Sequence, residues 1–224
     1  VLRPEAVDDE TQRLAAAAGR RLDEAAPYVD ARLPDGARLH CVLPPIATEG
    51  TLISIRVPSR HAFTLDDLVS AGSIDDVGAD WLRRIVAARL AVLVSGGTGS
   101  GKTTVLATLL GLVPPTERIV VVEDSAELAP DHPHVVRLQA RLPNVEGAGM
   151  VTLRDLVRQA LRMRPDRLVL GEVRGAEVVD LLSAMNTGHE GGCGTVHANS
   201  AADVPARLEA LGLTAGLDRT AVHA

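Results

Sequence analysis

The stretch AVLVSGGTGSGKTTVLATLL, Ala91 to Leu110, leaves the backbone less freedom than any other part of this 224-residue chain. An apolar run leads into glycines at 96, 97, 99 and 101, then Lys102, Thr103, Thr104 and an apolar helical pattern. Gly96 to Thr103 fits G-x-x-x-x-G-K-[ST], a strand-to-helix turn whose glycines let several N–H groups face one anion-sized hollow. The helix that follows aims its partly positive N-terminus at the same place. Lys102 is placed to reach β- and γ-phosphates, and the Thr103 hydroxyl to ligate Mg²⁺. The bland alternative is a glycine-rich turn that holds nothing.

Around this segment the chain alternates strand and helix, the pattern of a mostly parallel sheet with helices on its faces. Strands are predicted at 91–94, 118–122, 167–170 and 194–197, with an extra strand or hairpin at 135–142. Helices are predicted at 102–112, 152–163, 176–185 and 201–211. The text before residue 60 differs. Pro4 to Ala26 reads as one helix, and YVDARLPDGARLHCVL as a hairpin turning at Pro34-Asp35-Gly36. Thr51 to Val57 reads as a further strand. The expectation is therefore an α/β chain with a small N-terminal α+β domain over 1–60, a linker over 61–75 and a larger domain over 76–224.

Composition narrows the function classes. Aromatic residues make up 1% of the chain, only Tyr28, Phe63 and Trp81, so the core must be aliphatic. A net charge of -6 argues against a surface built to neutralise nucleic-acid phosphates, and no specific nucleic acid is expected as partner. Cys41 and Cys193 lack metal-ligand spacing and fit a reduced cytosolic setting. No apolar run approaches the roughly 20 residues that cross a bilayer, so membrane association is expected to be peripheral. The opening Val1 in place of Met is read as the mark of a trimmed chain.

Hydrolysis of a phosphate requires acids near the grip. One apolar strand ends at Glu123-Asp124 with Glu127 in the following loop, and another ends at Gly171-Glu172. Parallel strands carry their carboxyl ends on the edge that holds the phosphate loop, so these acids are candidates; capping of the next helix is the alternative. The segment TGHEGGCGTVHANS adds His189 and His197. Eight residues apart and without a third ligand they are poor for metal, and a structural role competes with one at the phosphate end.

Taken together these elements resemble the type II/type IV secretion-system ATPases, most closely the Flp/Tad pilus-assembly branch. Ile119 to Glu127 is similar to that family's Asp box, Leu168 to Glu172 to its degenerate Walker B, and Gly194 to Ser200 to its His box. The likeness also covers VDARLPDGARL, TLISIR and RDLVRQALRMRPDR. It implies a RecA-like P-loop NTPase domain binding ATP and Mg²⁺. Gly97, Thr98, Gly99, Ser100, Gly101, Lys102, Thr103 and Thr104 would hold the nucleotide, and Thr103 and Glu172 the metal. Lys102, Glu127, Glu172 and His197 would form the catalytic set, with Glu127 as general base. Arg56, Arg32 and Arg38 of the N-terminal domain would approach the phosphates. Ser125-Ala126, Cys193 and Gly194 depart from the usual residues without removing a charge. Relatives continue past the position of Ala224 with further helices, so the larger domain is expected to be incomplete.

The resemblance further implies a homo-hexamer on the cytoplasmic face of the inner membrane, working on a membrane-embedded platform protein. Pro58 to Thr64 would be the interdomain hinge. On the helix TLRDLVRQALRMR, Arg154, Arg158 and Arg162 recur every four residues, either as a solvated face or as contacts to a neighbouring subunit. No N-K-x-D segment of a GTPase and no kinase lid is evident. A DNA translocase or conjugation ATPase, and a module that binds ATP without hydrolysing it, remain the rival readings.

Overall fold

The computed structural model describes residues 4–57, 62–144, 148–186 and 190–222. His189 and most of the expected hinge, residues 58–61, lie outside them. The chain divides into two compact units, one of residues 1–59 with 144–148, the other of residues 60–143 with 149–224.

In the smaller unit α1 (Pro4–Ala17) is followed by β1 (Tyr28–Arg32), β2 (Arg38–Val42) and β3 (Leu52–Arg56), an antiparallel sheet in the order β1-β2-β3. Val29, Ala31, Leu39 and Cys41 alternate along β1 and β2 and are buried with Ala15 of α1, as a strand period of two requires. Asp35 Oδ1 accepts from Ala37 N at 3.0 Å, and Gly36, at φ 92, closes the predicted turn. The predicted helix over 4–26 stops nine residues early. Gly19, at φ 69, lets Gly19 N donate to Ala16 O and Arg20 N to Ala15 O, both at 2.9 Å, which satisfies the last carbonyls and ends the helix. Residues 20–26 then turn about Asp23, whose carboxylate accepts from Ala25 and Ala26 N–H.

The larger unit opens with α2 (Leu65–Ser70) and α3 (Asp76–Ala87), so helix begins inside the span read as a linker. Both helices are capped from the sequence, α2 by a Thr64–Asp67 capping box and α3 by Asp75. The remaining elements are β4 (Val92–Ser95), α4 (Lys102–Gly111), β5 (Ile119–Glu123), β6 (Val135–Gln139), α5 (Leu153–Arg162), β7 (Arg167–Val173), α6 (Glu177–Asn186), β8 (Cys193–Val196), α7 (Val204–Thr214) and α8 (Arg219–Val222). The segment over 135–142 is thus a strand, parallel to β5. The helix expected from Ala201 opens with a 3-10 turn and becomes α-helical at Val204.

All neighbouring strands are parallel, in the order β4-β8-β7-β5-β6. The chain leaves edge strand β4 for β5, three positions away, then returns through β7 to β8. That reversal, with crossovers of one hand, sends α4 to one face of the sheet and α5 and α6 to the other. Val120, Val122, Leu168 and Leu170 face Val157, Val178 and Leu181; Ile119, Val121 and Val169 face Leu106, Leu109 and Leu110. β5 is buried along its whole length, which explains its uninterrupted apolar text. Arg154 and Arg158 of α5 both donate to Asp180 of α6, at 2.7 and 3.1 Å, so two of the three arginines raised as candidate subunit contacts are engaged within their own chain. Among the described residues no helix is long and apolar enough to cross a membrane.

A Cβ at Gly19 would meet nothing within 4 Å, so the cost of Gly19→Ala is that of the left-handed backbone alone. Urea denaturation of the variant is expected to show a loss of about 1 kcal/mol.

Candidate active site

Parallel strands present every carboxyl end on one edge, and there the phosphate loop begins. Ser95 of β4 is registered against Val196 of β8, so Gly96 and His197 leave the sheet side by side. Gly96, Gly99 and Gly101 have φ of 155, 74 and 89°, angles at which a side chain is disfavoured, and a Cβ on Gly96 would lie 2.6 Å from Ser100 Oγ. Gly97, Gly99 and Gly101 have nothing within 4 Å of the Cβ they lack, leaving the hollow open. Ser100 Oγ and Lys102 Nζ both donate to Gly97 O, at 2.9 and 2.6 Å, fixing the curl of the loop. Lys102, Thr103 and Thr104 form the first turn of α4.

Beside the loop is a cleft of about 250 Å³ lined by Gly96, Gly97, His197, Asn199, Asp203 and Arg207. His197 Nε2 lies 3.1 Å from Glu172 Oε1. Glu172 Oε2 lies 3.8 Å from Arg174 Nη1, and Arg174 Nη2 also pairs with Asp124. The loop glycines, the histidine, Glu172 and Asp124 therefore form a continuous run along one edge, from β4 through β8 and β7 to β5. Glu127 lies in the loop that follows β5, a strand three places and about 14 Å from β4 by ordinary strand spacing.

The acid at the end of β5 is set apart from the others. Glu123 is 4% exposed, and its Oε1 accepts from Glu127 N and Leu128 N, each at 2.9 Å. Burial pushes its carboxyl up from the ordinary range, and the Glu127 charge adds to this; the two backbone donors and Arg137 oppose it. Cys193, at the start of β8, is buried and its thiol is pushed up to about 11, so it is not a nucleophile here.

The residues present suit a magnesium nucleotide. A glycine cradle at a helix N-terminus suits phosphate. One hydroxyl, Thr103, and one carboxylate, Glu172, would make the sparse protein donor set that Mg²⁺ accepts when phosphate and water complete its shell. Among the described residues no group of three or more His, Cys, Asp or Glu offers a separate metal cage. In the smaller unit, register places Arg32 opposite Arg38 and Arg38 opposite Arg56, so the three candidate arginines form one row at the end of that sheet.

Two neighbours of the site escape sequence reading. Arg174 follows the end of its strand, just past a register irregularity between Leu170 and Val173, and pairs with Asp124. Arg207 joins the cleft because α7 starts soon after β8; its spacing of four from Asp203 gave no such signal.

Residues 3–224 match the family described as type II/IV secretion system protein. A putative conjugal transfer protein of Mycobacterium tuberculosis is 64% identical over 218 residues, covering 95% of this chain and 62% of that protein. The type IV secretion system protein PtlH of Bordetella pertussis is 39% identical, covering 78% of this chain and 58% of that one. The chain thus spans about three-fifths of the length of these relatives. The VirB11 ATPase of the Brucella suis type IV secretion system, solved with sulphate, superposes with a TM-score of 0.55 at 29% identity, covering 100% of this chain and 72% of that one. The pilus retraction motor PilT with bound ADP gives a TM-score of 0.60 at 25% identity, covering 82% and 51%.

The elevated Glu123 carboxyl gives a pH dependence whose sign is fixed. A raised folded value contributes stability below the ordinary carboxylate range, and this is lost as pH rises through the folded value. Glu123→Gln cannot ionise, so its stability relative to the parent chain is expected to increase between pH 4 and pH 8 in denaturant titrations. A constant difference across that range would contradict the assignment.

Proposed function

The chain belongs to the type II/IV secretion system protein family, and on that premise we propose that it is an ATP-hydrolysing motor for secretion or pilus assembly. What carries the reading is the run of contacts from the phosphate loop to His197 and Glu172 on one sheet edge. The named ATPase and motor among the similar structures support it.

In this reading the amides of residues 97–103 and the Lys102 ammonium hold the β- and γ-phosphates, and Thr104 lines the same turn. Thr103 and Glu172 would hold Mg²⁺, which when bound would supply positive charge to the phosphoryl oxygens. Glu127 takes a proton from the water that attacks the γ-phosphorus as the bond to the β-phosphate oxygen breaks. His197 stands beside the loop and bonds Glu172, so a change at the phosphate end is relayed to that carboxylate. The row Arg32, Arg38 and Arg56 supplies positive charge for the transferring group. The proposed setting is a homo-hexamer, peripheral at the cytoplasmic face of the inner membrane, acting on a platform protein through a hinge near residues 58–64.

A conjugation motor is the second reading, favoured by the name of the mycobacterial relative. It predicts DNA binding that weakens steeply with salt, which filter binding measures. Turnover decides the enzyme assignment. Lys102→Ala, Glu127→Gln and Glu172→Gln are each expected to reduce ATP hydrolysis by about 10²-fold or more; undiminished hydrolysis in all three would refute it.

A further inference from the structure

Three acids close together at the end of β5, Glu123, Asp124 and Glu127, could share one chemical task, yet the structure gives each a different surrounding. Asp124 pairs with Arg174. Glu127 lies in the loop. Glu123 points inward, is 4% exposed, and its Oε2 is buried without a hydrogen-bond partner among the described residues. A group so enclosed is shut off from bulk solvent and from the open phosphate loop.

We infer that Glu123 is a positioning residue, which aims Glu127 by accepting the backbone N–H of Glu127 and Leu128 on one oxygen. The inference rests on the proposed role of Glu127 as base. Three observations carry it. Both acceptor distances are 2.9 Å, and Leu128 N is itself buried, so with the carboxyl in place bulk water is not its acceptor. Leu128, 2% exposed, anchors the far end of the loop in the core under α4, so the segment between residues 123 and 128 is held at both ends. Finally, a Cβ at Gly171 would lie 2.6 Å from Glu123 Cγ and 3.1 Å from its Oε1. The glycine beside Glu172 is thus the space into which Glu123 fits, and Thr195 Oγ1 donates to Gly171 O at 2.5 Å, tying that point to β8. The strand ends bearing the proposed base, the proposed metal ligand and the proposed phosphate histidine thus meet around Gly171, β5 through the Glu123 side chain and β8 through the Thr195 hydroxyl.

The charged groups facing Glu123 are Glu127 from its own loop and Arg137 from β6. Its burial favours the neutral acid, whose shape and acceptor oxygen a glutamine reproduces.

The test compares Glu123→Gln with Glu123→Ala in the whole chain, reading ATP turnover and backbone hydrogen exchange. Glutamine keeps the acceptor, so Glu123→Gln is expected to retain kcat within about threefold and to keep protection at the Glu127 and Leu128 amides. Glu123→Ala is expected to speed exchange at both amides by tenfold or more and to lower kcat by about 10²-fold with KM for ATP little changed. If Glu123→Gln is as inactive as Glu127→Gln, Glu123 acts chemically and the inference fails. Unchanged exchange in Glu123→Ala also overturns it. Should Glu123→Ala not fold, Gly171→Ala supplies the perturbation with Glu123 in place, and retained protection at both amides in that variant counts against the inference. Failure of the motor reading is separate: a parent chain hydrolysing no faster than Lys102→Ala refutes that reading, while the exchange result still decides whether Glu123 holds the loop.

Discussion

Parallel pairing of five strands is the constraint on which the rest of the larger unit depends. It brings the phosphate loop after β4, His197 after β8, Glu172 on β7 and Asp124 after β5 to one edge, although 101 positions separate Gly96 from His197 in sequence. It also obliges the sheet to be covered on both faces, because each crossover lays a helix against it. The aliphatic core follows: with almost no aromatic residues, Val, Ile and Leu from alternate strand positions fill both layers.

Charge along that edge is arranged so that Glu172 and Asp124 share cationic partners. Glu172 has His197 at one oxygen and Arg174 near the other, and Arg174 also reaches Asp124. Glu123 is separated from these by burial and by two backbone donors. The pairs at Arg174 are half-exposed, so they organise side chains more than they stabilise the fold.

Strong local signals made the fold readable. Unbroken apolar runs marked β5 and β7, the glycine pattern marked the loop at 96–101, and Pro34-Asp35-Gly36 marked the hairpin. The stop at Gly19 was also present in the sequence, but the alanine-rich text on either side disguised it. Strand order was not legible: nothing in β4 says that β8, a hundred residues later, will be its neighbour. The distinction among Glu123, Asp124 and Glu127 was equally hidden, because inward and outward positions alternate at a strand end and only the absence of a side chain at Gly171 decides which acid can be enclosed.

The same geometry sets the terms on which a phosphate would be held. The Lys102 ammonium already donates to Gly97 O at 2.6 Å, so a phosphate oxygen that draws it exchanges one contact for another. The gain is the difference between a charged acceptor and a carbonyl, since charge-assisted bonds are roughly twice as strong as neutral ones. A Mg²⁺ ion held by Glu172, as proposed, would likewise compete with His197 for Oε1 and with Arg174 for Oε2. Such exchange makes binding weaker than a sum of new contacts would suggest. It also means that each ligand contact releases a protein group, and a released His197 or Arg174 must find another partner. Under the proposed function, those rearrangements would let a change at one phosphate alter the shape of the edge around it.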